Sequence, residues 1–116
     1  MNPLMNPQRG DIILVNFDPA LPSEAASTRP AIVLSNDDAN DFLDTIIVLP
    51  LTKNISRIYP HEFILEKART GLDFDSKAQV QYLRHVSRKR IKRLIGLVPN
   101  DLMNRIGTMV RDHLNL

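Results

Sequence analysis

The sequence predicts a mainly β fold: a small antiparallel barrel with short helices and one amphipathic α-helix at its C-terminal end. Three observations predict it. Short β-branched runs recur between residues 12 and 98, each closed by Pro, Gly or Asx punctuation. From residue 99 the apolar positions switch to spacings of three and four. The chain has 116 residues, 43% of them hydrophobic, which is enough for one compact core and too apolar for a disordered chain. Closing such apolar strands into a barrel removes the edges they would otherwise expose.

The elements follow in order. Residues 12–17 are apolar, bounded by Gly10 and Pro19, and read as a strand buried on both faces. Asp18-Pro19 and Leu21-Pro22 keep residues 18–28 a loop. Residues 30–34 are the second strand, with Pro30 at its first position. The Asx-rich segment 36–41 is a turn that can hold one helical turn. Residues 45–51 are the third strand, and Pro50 places an edge or a bulge near its end. After a second loop, residues 62–66 are the fourth strand and residues 67–71 a short helix or turn. Residues 78–86 read as one strand, or as two separated by a bend; residues 87–92 as a polar turn; residues 94–98 as a last strand. Leu102, Ile106, Met109, Val110, His113 and Leu114 then form the apolar face of a helix, with Pro99 at its first position and Gly107 weakening it. This makes a single domain over residues 1–116, of which residues 1–9 are a loose arm.

The absence of Cys removes disulfides and thiolate metal sites and fits a reducing cytoplasm. No apolar run approaches the roughly 20 residues that span a bilayer. The net charge of +2 is unevenly spread. Residues 1–50 hold seven acids against two bases, whereas residues 77–116 hold nine bases against two acids, and no acid falls between Ser76 and Asn100. Such a basic stretch suits nucleic acid or an acidic protein partner.

Arg29 is the leading candidate for chemistry. A guanidinium at the mouth of a buried strand, beside a long loop, offers a planar fork of donors for phosphate; it equally suits an anchor paired with Glu24 or Asp11. Thr52, in Pro50-Leu51-Thr52-Lys53-Asn54, can bind phosphate and ribose or simply form a turn. Glu24 is the carboxylate best placed for proton transfer if its loop folds over Arg29. Lys53, Asn54 and Arg57 suit contacts to base edges and phosphates, and Phe17, Phe42, Tyr59 and Tyr82 are the available stacking rings. Among the histidines, His61 can approach the site, His85 lies beside the basic run and His113 packs. No metal-binding histidine spacing, Walker loop or nucleophile elbow is present.

Taken together, the residues resemble the MazF/PemK (Kid) toxins of bacterial toxin–antitoxin pairs. The resemblance rests on Gly10-Asp11, Phe17-Asp18-Pro19, Ser23-Glu24, Arg29-Pro30, Val33-Leu34-Ser35-Asn36, Pro50-Leu51-Thr52 and Tyr59-Pro60-His61-Glu62-Phe63. It implies an SH3-like barrel, shared with the CcdB toxins, assembled as a homodimer. It implies a cytoplasmic, sequence-specific endoribonuclease that cuts single-stranded RNA without metal or cofactor, leaves a 2′,3′-cyclic phosphate and a 5′-hydroxyl, and is blocked by an acidic cognate antitoxin. Arg29, Thr52 and Glu24 match catalytic positions; Ser23, Asn36, His61 and Arg84 join Lys53, Asn54 and Arg57 as RNA-binding positions.

The chain departs from the family pattern in its first loop. Pro22 stands where the family has Gly before Ser-Glu, and Ala25-Ala26-Ser27 replaces Gln-x-Gly, which stiffens the loop. Two other readings stand beside the nuclease. One is a CcdB-like toxin that inhibits a topoisomerase by protein contact, and the other is a basic barrel that binds nucleic acid without cutting it.

Overall fold

The computed structural model describes residues 6–116. In chain order its elements are β1 (Asp11–Asn16), β2 (Thr28–Val33), α1 (Asp37–Phe42), β3 (Thr45–Thr52), β4 (Glu62–Leu65), α2 (Lys67–Thr70), β5 (Ser76–Gln79), β6 (Arg84–Ser87), β7 (Ile91–Leu97) and α3 (Asn100–Leu114). The sheet runs β4-β5-β3-β2-β1-β7, with β6 pairing to β3 beside β5. Every pairing is antiparallel. No ladder among the described residues joins β6 to β7, so the sheet curls into an open barrel rather than a closed one.

The β-branched runs form the central strands because both of their faces are covered. Ile12, Ile32, Leu49 and Leu51 pack on one side against Leu102, Met103 and Ile106 of α3. Ile13, Val15, Ala31, Val33 and Val48 pack on the other with Phe17, Val86 and Ile91. On the helix Met103 is buried and His113 exposed, a correction to the expected packing of that histidine. Pro99 precedes the helix as its N-cap residue instead of opening it.

Pro50 is also corrected: it lies in the interior of β3, where Ala31 pairs with it. On its other side β6 covers residues 45–48 and β5 covers residues 51–52. Pro50 therefore faces the gap between them, where a missing N–H forfeits no ladder bond. A 3₁₀ turn at Val80–Tyr82 makes that gap, so residues 78–86 take the form of two strands separated by a bend. The polar turn is shorter than expected, Arg88–Arg90, because Ile91 is drawn into the core at the start of β7.

Of the expected N-terminal arm, residues 1–5 lie outside the described residues. Its last residues are tied down. The Arg9 N–H donates to Asp37 Oδ1 at 2.7 Å, and the Arg9 guanidinium donates to the Leu34 carbonyl.

Candidate active site

The antiparallel register brings the site together. Val15 pairs with Arg29 across β1 and β2, and Thr52 pairs with Lys77 across β3 and β5. Between them, the β2–β3 ladder ends at the Ala31–Pro50 pair; Arg29 and Thr52 lie two residues beyond it on their own strands and line the same clefts. Arg29, Thr52 and Lys77 thus line one polar cleft. β2 begins at Thr28, so Arg29 lies inside the strand and not at its mouth.

Arg29 and Thr52 form a wall shared by two clefts. The larger, about 350 Å³, is lined on its apolar side by Leu14, Pro30, Leu51, Leu72, Phe74 and Ile95, and Lys53, Asp73 and Arg93 also face it. The smaller, about 240 Å³, is polar and adds Glu24, Asn54, Lys77, Gln79 and Tyr82 to the wall. Arg29 Nε donates to the Ala26 carbonyl at 2.8 Å, which aims the guanidinium. Its two terminal nitrogens have no partner among the described residues, and the expected pairing with Glu24 or Asp11 is not formed. Thr52 Oγ1 accepts from the Asn54 N–H at 3.3 Å. Glu24 Oε1 accepts from the Leu21 N–H at 2.7 Å, which fixes the carboxylate within its loop.

Behind the polar cleft lies a buried ion pair that sequence reading did not single out. Lys77 Nζ donates to Glu62 Oε1 and to the Arg57 carbonyl, both at 2.8 Å. Burial alone would raise the Glu62 pKa. Donation from Lys77, Gln81, the Tyr59 N–H and Gln79 outweighs it and brings the pKa from 4.5 down to about 2. An ionised carboxylate only accepts, so Gln79 and Gln81 must turn their NH₂ groups toward it. Their buried carbonyl oxygens are left without a partner among the described residues.

The expected RNA-binding residues divide. Lys53 and Asn54 line the clefts. Ser23, at φ 70°, and Arg84 line an adjoining cleft of about 330 Å³ that also holds Glu24 and Tyr82. Arg57 lies with its guanidinium 5.3 Å from the Tyr59 ring centroid, and His61 stacks on the same ring at 5.9 Å. Neither lines the wall shared by Arg29 and Thr52. The Asn36 side chain caps α1, accepting from the Ala39 N–H at 2.8 Å, and lines neither cleft. Of the stacking rings, Phe17 is buried in the core and Tyr82 reaches the polar cleft. Sequence reading passed over Phe74, Lys77 and Gln79, and took Arg93 only as part of the basic run Arg88–Arg93 that adds RNA affinity or antitoxin contact. The available signals were an aromatic residue between two aspartates, Asp73 and Asp75, and the alternation of Lys77 with Gln79 on a short strand.

The family model for the PemK-like, MazF-like toxins of type II toxin–antitoxin systems matches residues 8–114. The chain belongs to this toxin family. Endoribonuclease MazF9 of Mycobacterium tuberculosis is 39% identical over 114 residues, which cover 94% of this chain and 97% of that protein. The crystal structure of MazF (Form-I) from Deinococcus radiodurans superposes with a TM-score of 0.83 at 23% identity, covering 95% of this chain and 97% of the other. A mycobacterial endoribonuclease in complex with its cognate antitoxin superposes at 0.76 with 17% identity, covering 96% and 95%. The two structures share the fold with this chain. Among the described residues no group of three or more His, Asp or Glu side chains could hold a metal ion, and no helix is long and apolar enough to cross a membrane.

Proposed function

We propose that this MazF-family chain is a sequence-specific endoribonuclease toxin. It acts in the cytoplasm as a homodimer on single-stranded RNA and is neutralised by an acidic cognate antitoxin. The observation that carries this reading is the wall of Arg29 and Thr52, a guanidinium with both terminal nitrogens unengaged beside a hydroxyl, between two clefts. A phosphodiester lying on that wall meets a bidentate donor and a second polar contact. The CcdB-like reading is not favoured, since the family match is to MazF-like toxins and the Mycobacterium tuberculosis relative is an endoribonuclease by name.

The reaction is an internal transesterification. The ribose 2′-oxygen attacks phosphorus, the bond to the 5′-oxygen breaks, and the products carry a 2′,3′-cyclic phosphate and a 5′-hydroxyl. Charge develops on the non-bridging oxygens, and the Arg29 fork stabilises it in a fixed geometry. Thr52 holds a phosphate oxygen or the 2′-hydroxyl. Glu24, fixed by the Leu21 N–H, takes the 2′-proton, and the leaving 5′-oxygen gains a proton from water.

Removing the Arg29 donors should lower the single-turnover rate by about 10³-fold or more. Glu24→Ala should fall near the lower end of acid–base losses, about 10²-fold. The check is cleavage of a transcript in excess EDTA, followed by mapping of 5′-hydroxyl ends. An intact transcript with wild-type protein overturns the nuclease reading, and a greater loss in Glu24→Ala than in Arg29→Ala overturns the assignment of roles.

A further inference from the structure

We propose that the apolar cleft beside Arg29 and Thr52 is a nucleobase pocket in which Phe74 stacks an unpaired base flanking the scissile linkage. This rests on the nuclease reading, because it takes the linkage to lie on the shared wall. A linkage on that wall has one nucleoside on each side of it, and the wall is shared by two clefts. One of those nucleosides therefore faces the Phe74 cleft.

The cleft has the chemistry of a base site. Its volume of about 350 Å³ lies at the small end of the ~300–1,000 Å³ typical of ligand pockets. That size fits a single base with part of its sugar. Leu14, Pro30, Leu51, Leu72 and Ile95 supply apolar surface. Phe74 keeps its ring at this cleft although 58% of the residue is exposed to solvent. An exposed ring of this kind beside a phosphate-directed cation is how single-stranded nucleic acid is held. Lys53 Nζ stands 4.8 Å from the ring centroid, which places a cation for the adjoining phosphate. Asp73 and Arg93 face the cleft with no partner among the described residues. The first only accepts and the second only donates, so an edge presenting both amino and carbonyl groups satisfies both.

An RNA base is favoured over an antitoxin side chain because the cleft is continuous with the phosphate-directed wall and carries two cations without a carboxylate partner among the described residues, Lys53 and Arg93. An acidic peptide would satisfy those cations but would leave Asp73 facing like charge.

The test uses full-length protein and an RNA oligonucleotide spanning a cut mapped with the wild-type enzyme, with a 2′-O-methyl group at the cut ribose to block cleavage. Phe74→Ala should weaken binding, read by fluorescence anisotropy, by about 5- to 150-fold, as expected for loss of one stacked base. Phe74→Leu, which keeps apolar bulk without a π face, should recover only part of this. Removing the base on one side of the cut should weaken wild-type binding to the same degree while leaving Phe74→Ala unaffected. Sequenced cut sites should lose preference at that same position. The pocket assignment is overturned if Phe74→Ala binds within twofold of wild type with an unchanged cut-site profile, or if it cleaves normally and loses only antitoxin affinity. Failure of the nuclease reading is separate: it would appear as an uncut transcript with the wild-type protein.

Discussion

Among single residues, Lys77 and Glu62 make the most exacting contact in the molecule. Their side chains are 8% and 1% exposed, and each satisfies the other. Replacing a buried pair is tolerable, but removing one partner strands the other charge. Lys77→Met should therefore cost about 3–5 kcal/mol, measured by urea unfolding. The Glu62 pKa is depressed from 4.5 to about 2 in the folded chain. Its stabilisation is thus complete above pH 4.5 and is lost as the pH falls toward 2, by roughly 3 kcal/mol in all. The wild-type urea midpoint should drop between pH 5 and pH 3. Lys77→Met, whose carboxylate has lost its cation, should show a shallower drop, and equal slopes would refute this account of the acid sensitivity. The same pair holds the loop after β3, because Lys77 also donates to the Arg57 carbonyl.

Elements are joined at two glycines with opposite tolerances. Gly96 in β7 lies so close to the end of α2 that an added Cβ would stand 1.9 Å from the Thr70 carbonyl oxygen. Gly96→Ala must push β7 or α2 aside and should destabilise by about 1–3 kcal/mol. Gly107 in α3 has room: a Cβ there would meet only the Arg9 side chain at 3.8 Å. Gly107→Ala should raise stability by up to about 1 kcal/mol through helix propensity. Thermal unfolding of the two variants should move in opposite directions. The first loop carries a different strain, with Ser23 at φ 70° and Ser27 at φ 61°. Ser27 stands where the family pattern has glycine, so this chain holds a left-handed conformation without the residue that adopts it freely.

Across the whole molecule, charge and cleft coincide. Arg29, Lys53 and Arg93 all face the clefts, while most of the acids sit in the first half of the chain. If three phosphates are neutralised there, affinity for uncleavable single-stranded RNA should fall with salt at a log–log slope of about −2. A slope near zero would show that these cations do not meet the RNA backbone. The open curl of the sheet serves the same end. Arg29 of β2 and Thr52 of β3 line two clefts, while both faces of the central strands stay covered.

The local pattern of residues was sufficient for the strands, the terminal helix and the pairing of Arg29 with Thr52 as candidates, because alternation, helical spacing and punctuation are written in neighbouring positions. Tertiary structure decided the rest. Pro50 is interior because two other strands happen to leave a gap opposite it, and Asn36 serves a helix cap because α1 begins at the next residue. Lys77 and Phe74 matter through what lies across the sheet and across the cleft from them, at distances along the chain that no local pattern encodes. Alternation and composition specify which segments are apolar and extended. Register and curvature decided which side chains meet, since pairing is a property of two distant strands and not of either one alone.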